Sequence, residues 1–360
     1  MAQPGGATLD YTITLHDPKN DTDEEIAERV AFSNIISAEV TPDDPPTPVE
    51  EAIAALRSSP ERLRRWSFRA RDAKGQLAGM MGTGIDPEHD ENPDMFWTGA
   101  NLLPEHRRRG LGTRLLAEIV KLAESEGRTR LLGGTNDRLP AGAAFAEAIG
   151  AEVKSRMHMN RLMVADVDRA MLQQWVDDGP KRAEGYELFG WDGPVPEEYL
   201  EKYVELVHVM NDAPRDDIEM NDFKLTPEQV REGEKQMAAI GAEHWTVVVR
   251  RVEDDAWAGF HDMSWYPFEP NFMNVGATGV LPAHRGHAIG KWLKAQIMLR
   301  VLDEKPDVTE VRTGNADSND AMLGINHLMG YKPWIASAVY EVSVEQARAW
   351  LEQRGALEPR

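Results

Sequence analysis

The chain contains 360 residues, more than a typical domain of roughly 100–200 residues, so its length favours two domains. Hydrophobic residues make up 41% of it, and no stretch approaches the ~18 consecutive apolar residues of a membrane span. The absence of cysteine excludes disulfides and thiolate chemistry. A formal net charge of −21 disfavours nucleic acid as a partner. The charge either serves solubility alone or attracts a cationic ligand. The beginning, MAQPGGATLDYT, lacks the order of a signal peptide, so we expect a cytoplasmic protein.

The first half of the sequence predicts strands and helices that end in a β-helix-β unit. An amphipathic helix is predicted at about 111–126, because Leu111, Leu115, Ile119 and Leu122 recur at helical spacing. The other predicted elements are a strand at 11–16, helices within 23–58, strands at 66–72, 77–84, 95–103 and 130–134, a helix at 140–149 and a strand at 151–164.

The second half predicts the same order of elements. These are a strand at 186–191, helices within 195–240, strands at 244–252, 256–266 and 271–281, a helix at 288–304, and then strand, helix and strand to about 343. Meander strands that lead into a β-helix-β unit predict an α/β (α+β) fold, with a mixed, mostly antiparallel sheet flanked by helices in each half. We expect domains at 8–165 and 186–345, a connector at 166–185 and a terminal helix and tail at 346–360.

The two halves are copies of one pattern. Arg107 and Arg285 occupy the same place in two similar segments, 178 positions apart. Three further pairs recur at offsets of 179 or 180, namely Trp66 with Trp245, Gly79 with Gly259, and Gly150 with Gly330. Nearly constant offsets over such a distance predict a duplicated domain.

Each copy carries a glycine-containing loop between a strand and a helix. The loop residues are Arg107, Arg108, Arg109, Gly110, Leu111, Gly112 and Thr113 in the first half, and Arg285, Gly286, His287, Ala288, Ile289, Gly290 and Lys291 in the second. Free N–H groups at the start of a helix bind anions, glycine lets a phosphate approach them, and arginine neutralises its charge. Neither a Walker loop nor a GxGxxG fingerprint is present. The alternative is a basic cluster that caps a helix.

The pattern Arg-x-x-Gly/Ala-x-Gly/Ala in both loops resembles the acetyl-CoA pyrophosphate loop of the GCN5-related N-acetyltransferase (GNAT) superfamily. The order of the elements is similar too, so the chain resembles a tandem member. The resemblance implies acetyl-CoA as acyl donor, and we expect no metal. It implies backbone contacts to pantetheine from Asn101 and Leu102 and from Gly279 and Val280, and a second wall of the cofactor site at Asn136, Asn315 and Asn319. Helix capping is the alternative role for Asn315 and Asn319.

The family's usual proton-transferring groups are missing from their usual places. The position of its tyrosine holds Asn326 in the second half and Ala146 in the first, and neither MFWTGANL nor NFMNVGATGV contains the glutamate that often serves as base. The catalytic candidates are therefore Asn326, Tyr266, Asp262 and His261, with His327 as a further one. A structural role is the alternative for each.

An acidic run in the second half lies where this fold builds its acceptor wall. It begins MNDAP, which resembles uncharacterised actinobacterial acetyltransferases, and its carboxylates are Asp212, Asp216, Asp217 and Glu219. Several carboxylates with one arginine predict a seat for an ammonium-bearing acceptor, at the cost of raising the pKa of the amine. A solvated acidic loop is the alternative.

The resemblance thus implies an acetyl-CoA-dependent N-acetyltransferase, and we expect its second half to be catalytic. The acceptor would be a primary amine of a small, cationic metabolite or antibiotic that attacks directly in a ternary complex. The competing hypothesis is a catalytically silent acyl-CoA-binding or interaction protein. We expect a small-molecule partner, no nucleic acid, no membrane, and a monomer or homodimer.

Overall fold

The computed structural model describes residues 10–359 and divides the chain into two compact units. Unit 1 consists of the described residues up to Ser155 together with those from Ser337 onward, and unit 2 is Arg156–Ala336. Among the described residues, no helix has both the length and the apolar character needed to cross a membrane.

Twelve strands and ten α-helices are found in the described part of the chain. The strands are β1 (Thr12–His16), β2 (Arg64–Arg71), β3 (Leu77–Ile85), β4 (Met95–Leu102), β5 (Arg130–Asn136), β6 (Glu152–Met163), β7 (Tyr186–Asp192), β8 (Glu243–Arg251), β9 (Trp257–Trp265), β10 (Phe272–Val280), β11 (Glu310–Ala316) and β12 (Lys332–Ser343). The helices are α1 (Asp23–Val40), α2 (Val49–Arg57), α3 (Leu111–Ser125), α4 (Pro140–Ala148), α5 (Arg169–Arg182), α6 (Leu200–Val207), α7 (Pro227–Ala239), α8 (Ile289–Glu304), α9 (Asp320–Met329) and α10 (Val344–Glu352).

Unit 1 is built on a mixed sheet with the strand order β1-β2-β3-β4-β5-β12. The β4–β5 pair is parallel and the other pairs are antiparallel, as the sequence predicts. Helix α3 buries Leu111, Leu115 and Ile119 completely in the core of this unit. The predicted stripe of apolar residues is therefore the face that packs against the sheet.

Unit 2 repeats the architecture with the strand order β6-β11-β10-β9-β8-β7. Here β10 and β11 form the parallel pair, and the other pairs are antiparallel. Helix α8 buries Leu293 and Ile297 in the core. Both units therefore contain a β-helix-β unit at the place where the sequence puts the glycine loop.

The bounds of the units differ from the predicted domains. Strand β6 and helix α5 follow the first copy in sequence, but residues 156–182 belong to unit 2, where β6 pairs with β11 and α5 packs on α8. Residues 337–352, which carry most of β12 and all of α10, belong to unit 1 instead. The predicted connector at 166–185 is thus mostly a packed helix, because Leu172 of α5 is fully buried. Residues 8 and 9 of the predicted first domain lie outside the described residues.

Strand β10 has a β-bulge that its counterpart β4 lacks. The register between β9 and β10 shifts between Val275 and Thr278, whereas β3 and β4 pair without a shift from Gly79 to Thr83. A bulge leaves backbone groups outside the ladder and turns the strand locally. The two copies therefore differ in backbone at the strand that leads into the glycine loop.

Candidate functional site

Unit 2 has a cavity of about 710 Å³ between the end of β10, the following loop and the start of α9. Thr278, Gly279 and Val280 line it from the strand, and Met210 lines it from the segment after α6. A Cβ on Gly279 would lie 2.4 Å from Cγ1 of Val209, so only glycine lets that segment lie this close to the strand. The cavity reaches the glycine loop, where Gly286, Ala288 and Gly290 are part of its lining.

The loop before α8 presents unpaired backbone N–H groups. Ala288 has the left-handed conformation, with φ at 60°, and α8 has no side-chain cap. The amides of residues 286–290 donate no hydrogen bond to any described group. Successive free amides at the positive end of a helix fit a diphosphate, and this fit is the structural support for an acyl-CoA site.

Unit 1 has a comparable loop beside a cavity of about 510 Å³. Gly110 and Arg108 have positive φ values of 80° and 60°, α3 has no side-chain cap, and the amides of residues 108–113 donate to no described group. The aromatic ring of Phe145 lies beside Gly112, and Trp350 of α10 lies beside Phe145. Both units therefore contain a loop able to bind an anion.

Most of the predicted cofactor residues line the two cavities. In unit 1 these are Asn101, Leu102, Arg107, Arg108, Gly110, Gly112, Thr113 and Asn136. In unit 2 they are Gly279, Val280, Arg285, Gly286, Ala288, Ile289, Gly290, Lys291 and Asn319. The predicted residues that do not line a cavity are Arg109, Leu111, His287 and Asn315. Leu111 is a core residue, because it is the first residue of α3 and its side chain packs under the sheet.

The first arginine of each loop is already paired. Arg107 donates to both carboxylate oxygens of Glu39, at 2.8 and 2.7 Å, and Arg285 donates to Asp212 at 3.2 Å. A guanidinium held by a carboxylate has little net charge left for a phosphate. The anion sites therefore depend on backbone amides more than the sequence indicates.

Among the buried polar side chains of unit 2 are four whose matching positions in unit 1 hold glycine or an apolar residue. They are His261, Asp262, Lys294 and Asn326, none of them more than 6% exposed. Asp262 accepts a hydrogen bond from the amide of Ala277 at 3.2 Å, so its carboxylate fills the bulge. The Nδ1 atom of His261 lies 3.0 Å from the carbonyl oxygen of Ala277 and 2.8 Å from the hydroxyl oxygen of Thr278, which lines the cavity.

Burial shifts the pKa values of three of these side chains toward the range that favours their neutral forms. It raises the pKa of Asp262 to about 7 and lowers the pKa of Lys294 to about 8. Burial and the nearby charge of Lys294 lower the pKa of His261 well below its ordinary value. Near neutral pH, His261 is therefore uncharged, and Asp262 is able to exchange a proton.

Asn326 and Asn315 are hydrogen-bonded to each other, and neither of them lines the cavity. The side-chain amide of Asn326 donates to Oδ1 of Asn315 at 2.8 Å, while its own buried Oδ1 atom has no partner among the described groups. Asn319 caps α9 by accepting a hydrogen bond from the amide of Met322 at 3.3 Å, so the capping interpretation holds for this residue, although it also lines the cavity.

Two other catalytic candidates lie away from the cavity. Tyr266 follows the end of β9 and stacks on Phe268, whereas the cavity is at the beginning of that strand, next to Gly259 and its partner Val280. An antiparallel hairpin places these two ends a strand length apart. His327 is exposed on α9 and does not line the cavity.

The acidic segment lies partly against the cofactor cavity. Asp212 lines the cavity, and Asp216 accepts a hydrogen bond from the hydroxyl of Ser318, which also lines it. Asp217 and Glu219 are exposed and do not line it. The segment therefore borders the mouth of the cavity rather than forming a separate wall.

The sequence analysis missed an aromatic residue beside each loop. Trp175 of α5 lies next to Lys291, and Trp350 of α10 lies next to Phe145, so the two tryptophans are 175 positions apart. The signal was present, because α5 and α10 follow the last strands of the two copies. Their role was not predicted, because 166–185 is predicted as a partly helical connector and 346–360 as a terminal helix and tail, neither of them part of a repeated unit.

One group of described residues has the composition and spacing of a metal site. It consists of His16, Asp21 and Glu25 of unit 1. Asp21 is bound to the buried Arg69 at 2.5 Å, and Glu25 accepts the amide of Thr22 in a capping box. These partners account for both carboxylates, and we assign no metal to the group.

Comparison with known proteins agrees with this geometry. Residues 29–151 match the model of the acetyltransferase (GNAT) family. A tandem GNAT protein from the clavulanic acid biosynthesis pathway, in a structure without acetyl-CoA, is 23% identical, covers 93% of this chain and 99% of its own, and has a TM-score of 0.74. Residues 29–151 thus match the GNAT family, and the chain shares the fold of a tandem GNAT protein. No curated protein matched it.

Two further solved structures share the fold of this chain. A GCN5-related N-acetyltransferase from Sphaerobacter thermophilus is 12% identical, covers 93% of this chain and 96% of its own, and has a TM-score of 0.61. A GCN5-related glucosamine N-acetyltransferase region of a fungal multi-domain GH3 β-N-acetylglucosaminidase is 14% identical over 93% of this chain and 38% of its own, with a TM-score of 0.63. The family match, which lies within unit 1, supports an enzyme of the acetyltransferase class, in a family whose donor is acetyl-CoA.

Proposed function

We propose that unit 2 transfers an acetyl group from acetyl-CoA to a primary amine of a small cationic molecule, by direct attack in a ternary complex. The observation that carries the proposal is the group of buried polar residues in unit 2. At the matching positions of unit 1 stand Met81, Gly82, Leu116 and Ala146, in place of His261, Asp262, Lys294 and Asn326.

The duplication makes this difference informative. Burying a polar or charged group costs free energy unless its partners compensate fully. Unit 1 forms the same sheet and the same loop with apolar or missing side chains at these positions. The fold itself does not require these four polar residues. We therefore infer that they serve a function that is specific to unit 2.

The chemistry of amine acetylation needs a proton acceptor, because only a neutral amine attacks a thioester. Asp262 is suited to this role, since burial brings its pKa to about 7 and its carboxylate lies in the bulge beside Thr278. Acetyl-CoA supplies the thioester, and the amides of residues 286–290 together with the backbone of Gly279 and Val280 would hold it. As the amide C–N bond forms, the C–S bond of the thioester breaks and CoA leaves as a thiolate. Asn326 carries no acidic proton, so the thiolate takes its proton from solvent.

The acidic segment at the mouth of the cavity supports a cationic acceptor. Asp212, Asp216, Asp217 and Glu219 are all exposed there, and the net charge of the chain is −21. Such a segment attracts cations by a long-range field. The neighbour described as a glucosamine N-acetyltransferase region supports a small-molecule amine as acceptor.

Unit 1 fits the competing hypothesis better. It keeps an uncapped loop and a cavity of about 510 Å³, but none of the four buried polar groups. We propose that it binds acyl-CoA without catalysing transfer.

Matched substitutions in the two loops test this assignment. Gly290→Glu puts a carboxylate among the free amides of unit 2, and Gly112→Glu does the same in unit 1. Acetyl transfer, measured as release of free CoA with a panel of amines, should fall more than 100-fold with Gly290→Glu and less than tenfold with Gly112→Glu.

A control is needed because a Cβ on Gly290 would lie 3.2 Å from Cδ1 of Ile325, closer than the 3.6 Å between a Cβ on Gly112 and Phe145. Gly290→Gln and Gly112→Gln have the same size without the charge. They should keep more activity than the glutamate variants. The reverse ranking of the two units would place the active site in unit 1.

A further inference from the structure

We propose that helix α5 and the start of α8 form a subsite for the 3′-phosphorylated adenosine of CoA, with Trp175 stacking on the base and Lys291 and Arg182 binding the 3′-phosphate. The inference rests on the proposed function, because it requires acyl-CoA to bind in unit 2. It assigns a ligand role to the segment at 166–185, which lies outside the β-helix-β unit that carries the loop.

A close approach of two helices places α5 beside the loop. A Cβ on Gly179 would lie 2.4 Å from Cδ2 of Trp292, so only a glycine at this position lets α5 pack so tightly on α8. Trp292 is itself buried, which fixes the helix pair. Because α8 begins at Ile289, the helix packed on it reaches the N-terminal turn where the free amides lie.

A second cavity, of about 140 Å³, is found at this contact. Trp175, Gly179 and Arg182 of α5 line one side, and Ala288 and Lys291 of the loop and α8 line the other. Ala288 and Lys291 also line the larger cavity, so both cavities adjoin the loop at the same two residues. A ligand whose diphosphate sits on the loop amides can extend past Lys291 to Trp175.

The charges of this cavity point to a phosphate. The Nζ atom of Lys291 lies 5.0 Å from the ring centroid of Trp175, and neither Lys291 nor Arg182 forms an ion pair within residues 10–359. Unpaired cations are notable in a chain with 61 acidic and 40 basic residues. The nearby Asp178 is bound to Lys181 at 3.0 Å, so the cavity keeps a positive balance.

The same arrangement recurs in unit 1 with different chemistry. Trp350 of α10 lies 175 positions after Trp175, and with Arg354 it lines the cavity of that unit. Thr113 stands at the position of Lys291, and the guanidinium of Arg354 stacks on Trp350 at 4.0 Å. An aromatic face beside the loop is thus a feature of both copies, and the pair of unpaired cations at this contact distinguishes unit 2.

Calorimetric titration of the full chain with CoA and with 3′-dephospho-CoA tests the subsite. The Gly112→Glu background restricts binding to unit 2. In that background we expect CoA to bind at least tenfold more tightly than dephospho-CoA. The double variant Lys291→Gln, Arg182→Gln should reduce this preference to less than twofold while leaving the affinity for dephospho-CoA within threefold. Trp175→Leu should weaken both ligands and leave the preference intact.

The control for charge is Lys224→Gln with Lys235→Gln, which removes two exposed lysines that line neither cavity. This variant should keep the preference for CoA. Equal affinity of the two ligands for the parent protein, or a preference that survives in the double variant, overturns the subsite alone. Absence of binding of either ligand, with no acetyl transfer by the unmodified chain, overturns the proposed function together with it.

Discussion

The Nε atom of Arg285 donates a hydrogen bond to the carbonyl oxygen of Val280, 2.9 Å away. Arg107 makes the same bond to Leu102 at 2.9 Å. In both units the first arginine of the loop therefore connects the end of the strand to the loop. Its position, more than its charge, holds the amide groups toward the cavity.

Arg285→Ala should weaken binding of acetyl-CoA about tenfold, because the loop loses a charge-assisted hydrogen bond of roughly 1.5–3 kcal/mol. Asp212→Asn should change the affinity less than twofold, since the Asp212–Arg285 ion pair is about half exposed and surface pairs contribute roughly 0–1 kcal/mol. Calorimetry with acetyl-CoA measures both. Equal losses in the two variants would show that the ion pair, not the bond to Val280, fixes the loop.

The role of Asp262 predicts a pH dependence of activity. If its carboxylate accepts the proton of the amine, kcat/KM should rise with pH and level off above about pH 7, where burial places its pKa. Asp262→Asn should lower kcat about 100-fold or more and remove this limb. Asp303→Asn, an exposed carboxylate on α8, is the control and should keep the profile.

Asp262 also predicts a pH dependence of stability, with a definite sign. Its pKa is raised from 3.8 to about 7 by folding, so the folded protein binds more protons than the unfolded chain between these values. The free energy of unfolding contributed by this group is complete below pH 3.8 and is lost as the pH rises to about 7. Denaturant titrations at pH 5 and pH 7 should show a smaller loss for Asp262→Asn than for the unmodified protein. If both proteins lose the same free energy of unfolding between pH 5 and pH 7, Asp262 does not titrate in this range in the folded protein.

The acidic segment predicts a salt-dependent KM. Asp216→Asn with Asp217→Asn should raise KM for a cationic amine several-fold and change kcat less, because exposed carboxylates attract the substrate rather than stabilise the transition state. Asparagine tolerates the positive φ of Asp216, 50°, so the backbone should not change. The effect should shrink once the screening length falls below ~8 Å. A neutral amine is the control, and identical KM values across salt would identify a solvated loop.

The division into units predicts which fragment of the chain folds. A fragment of residues 156–336 contains the whole of unit 2, whereas 186–345 lacks β6 and α5. These elements carry Leu162 and Leu172, both fully buried in one core cluster of unit 2. We expect 156–336 to unfold cooperatively in a thermal melt followed by circular dichroism, and 186–345 to show no cooperative transition. The opposite result would restore the domain bounds predicted from the sequence.

The sequence by itself determined the duplication, the order of the elements and the two loops. These features are local or periodic: the stripe of Leu111, Leu115 and Ile119, and the return of the Arg107 pattern at Arg285, are visible without knowing any contact between distant residues.

Only the tertiary structure shows that β6 and α5 belong to unit 2 and that α10 belongs to unit 1. It also shows which polar groups are buried together. Strand pairing is a long-range choice, so nothing near residue 160 shows that β6 joins β11. The pKa of Asp262 likewise depends on burial and on Lys294, which lies 32 positions away. The pairing of Arg285 with Asp212 and the approach of Trp175 to Lys291 also depend on contacts between segments that sequence periodicity does not connect.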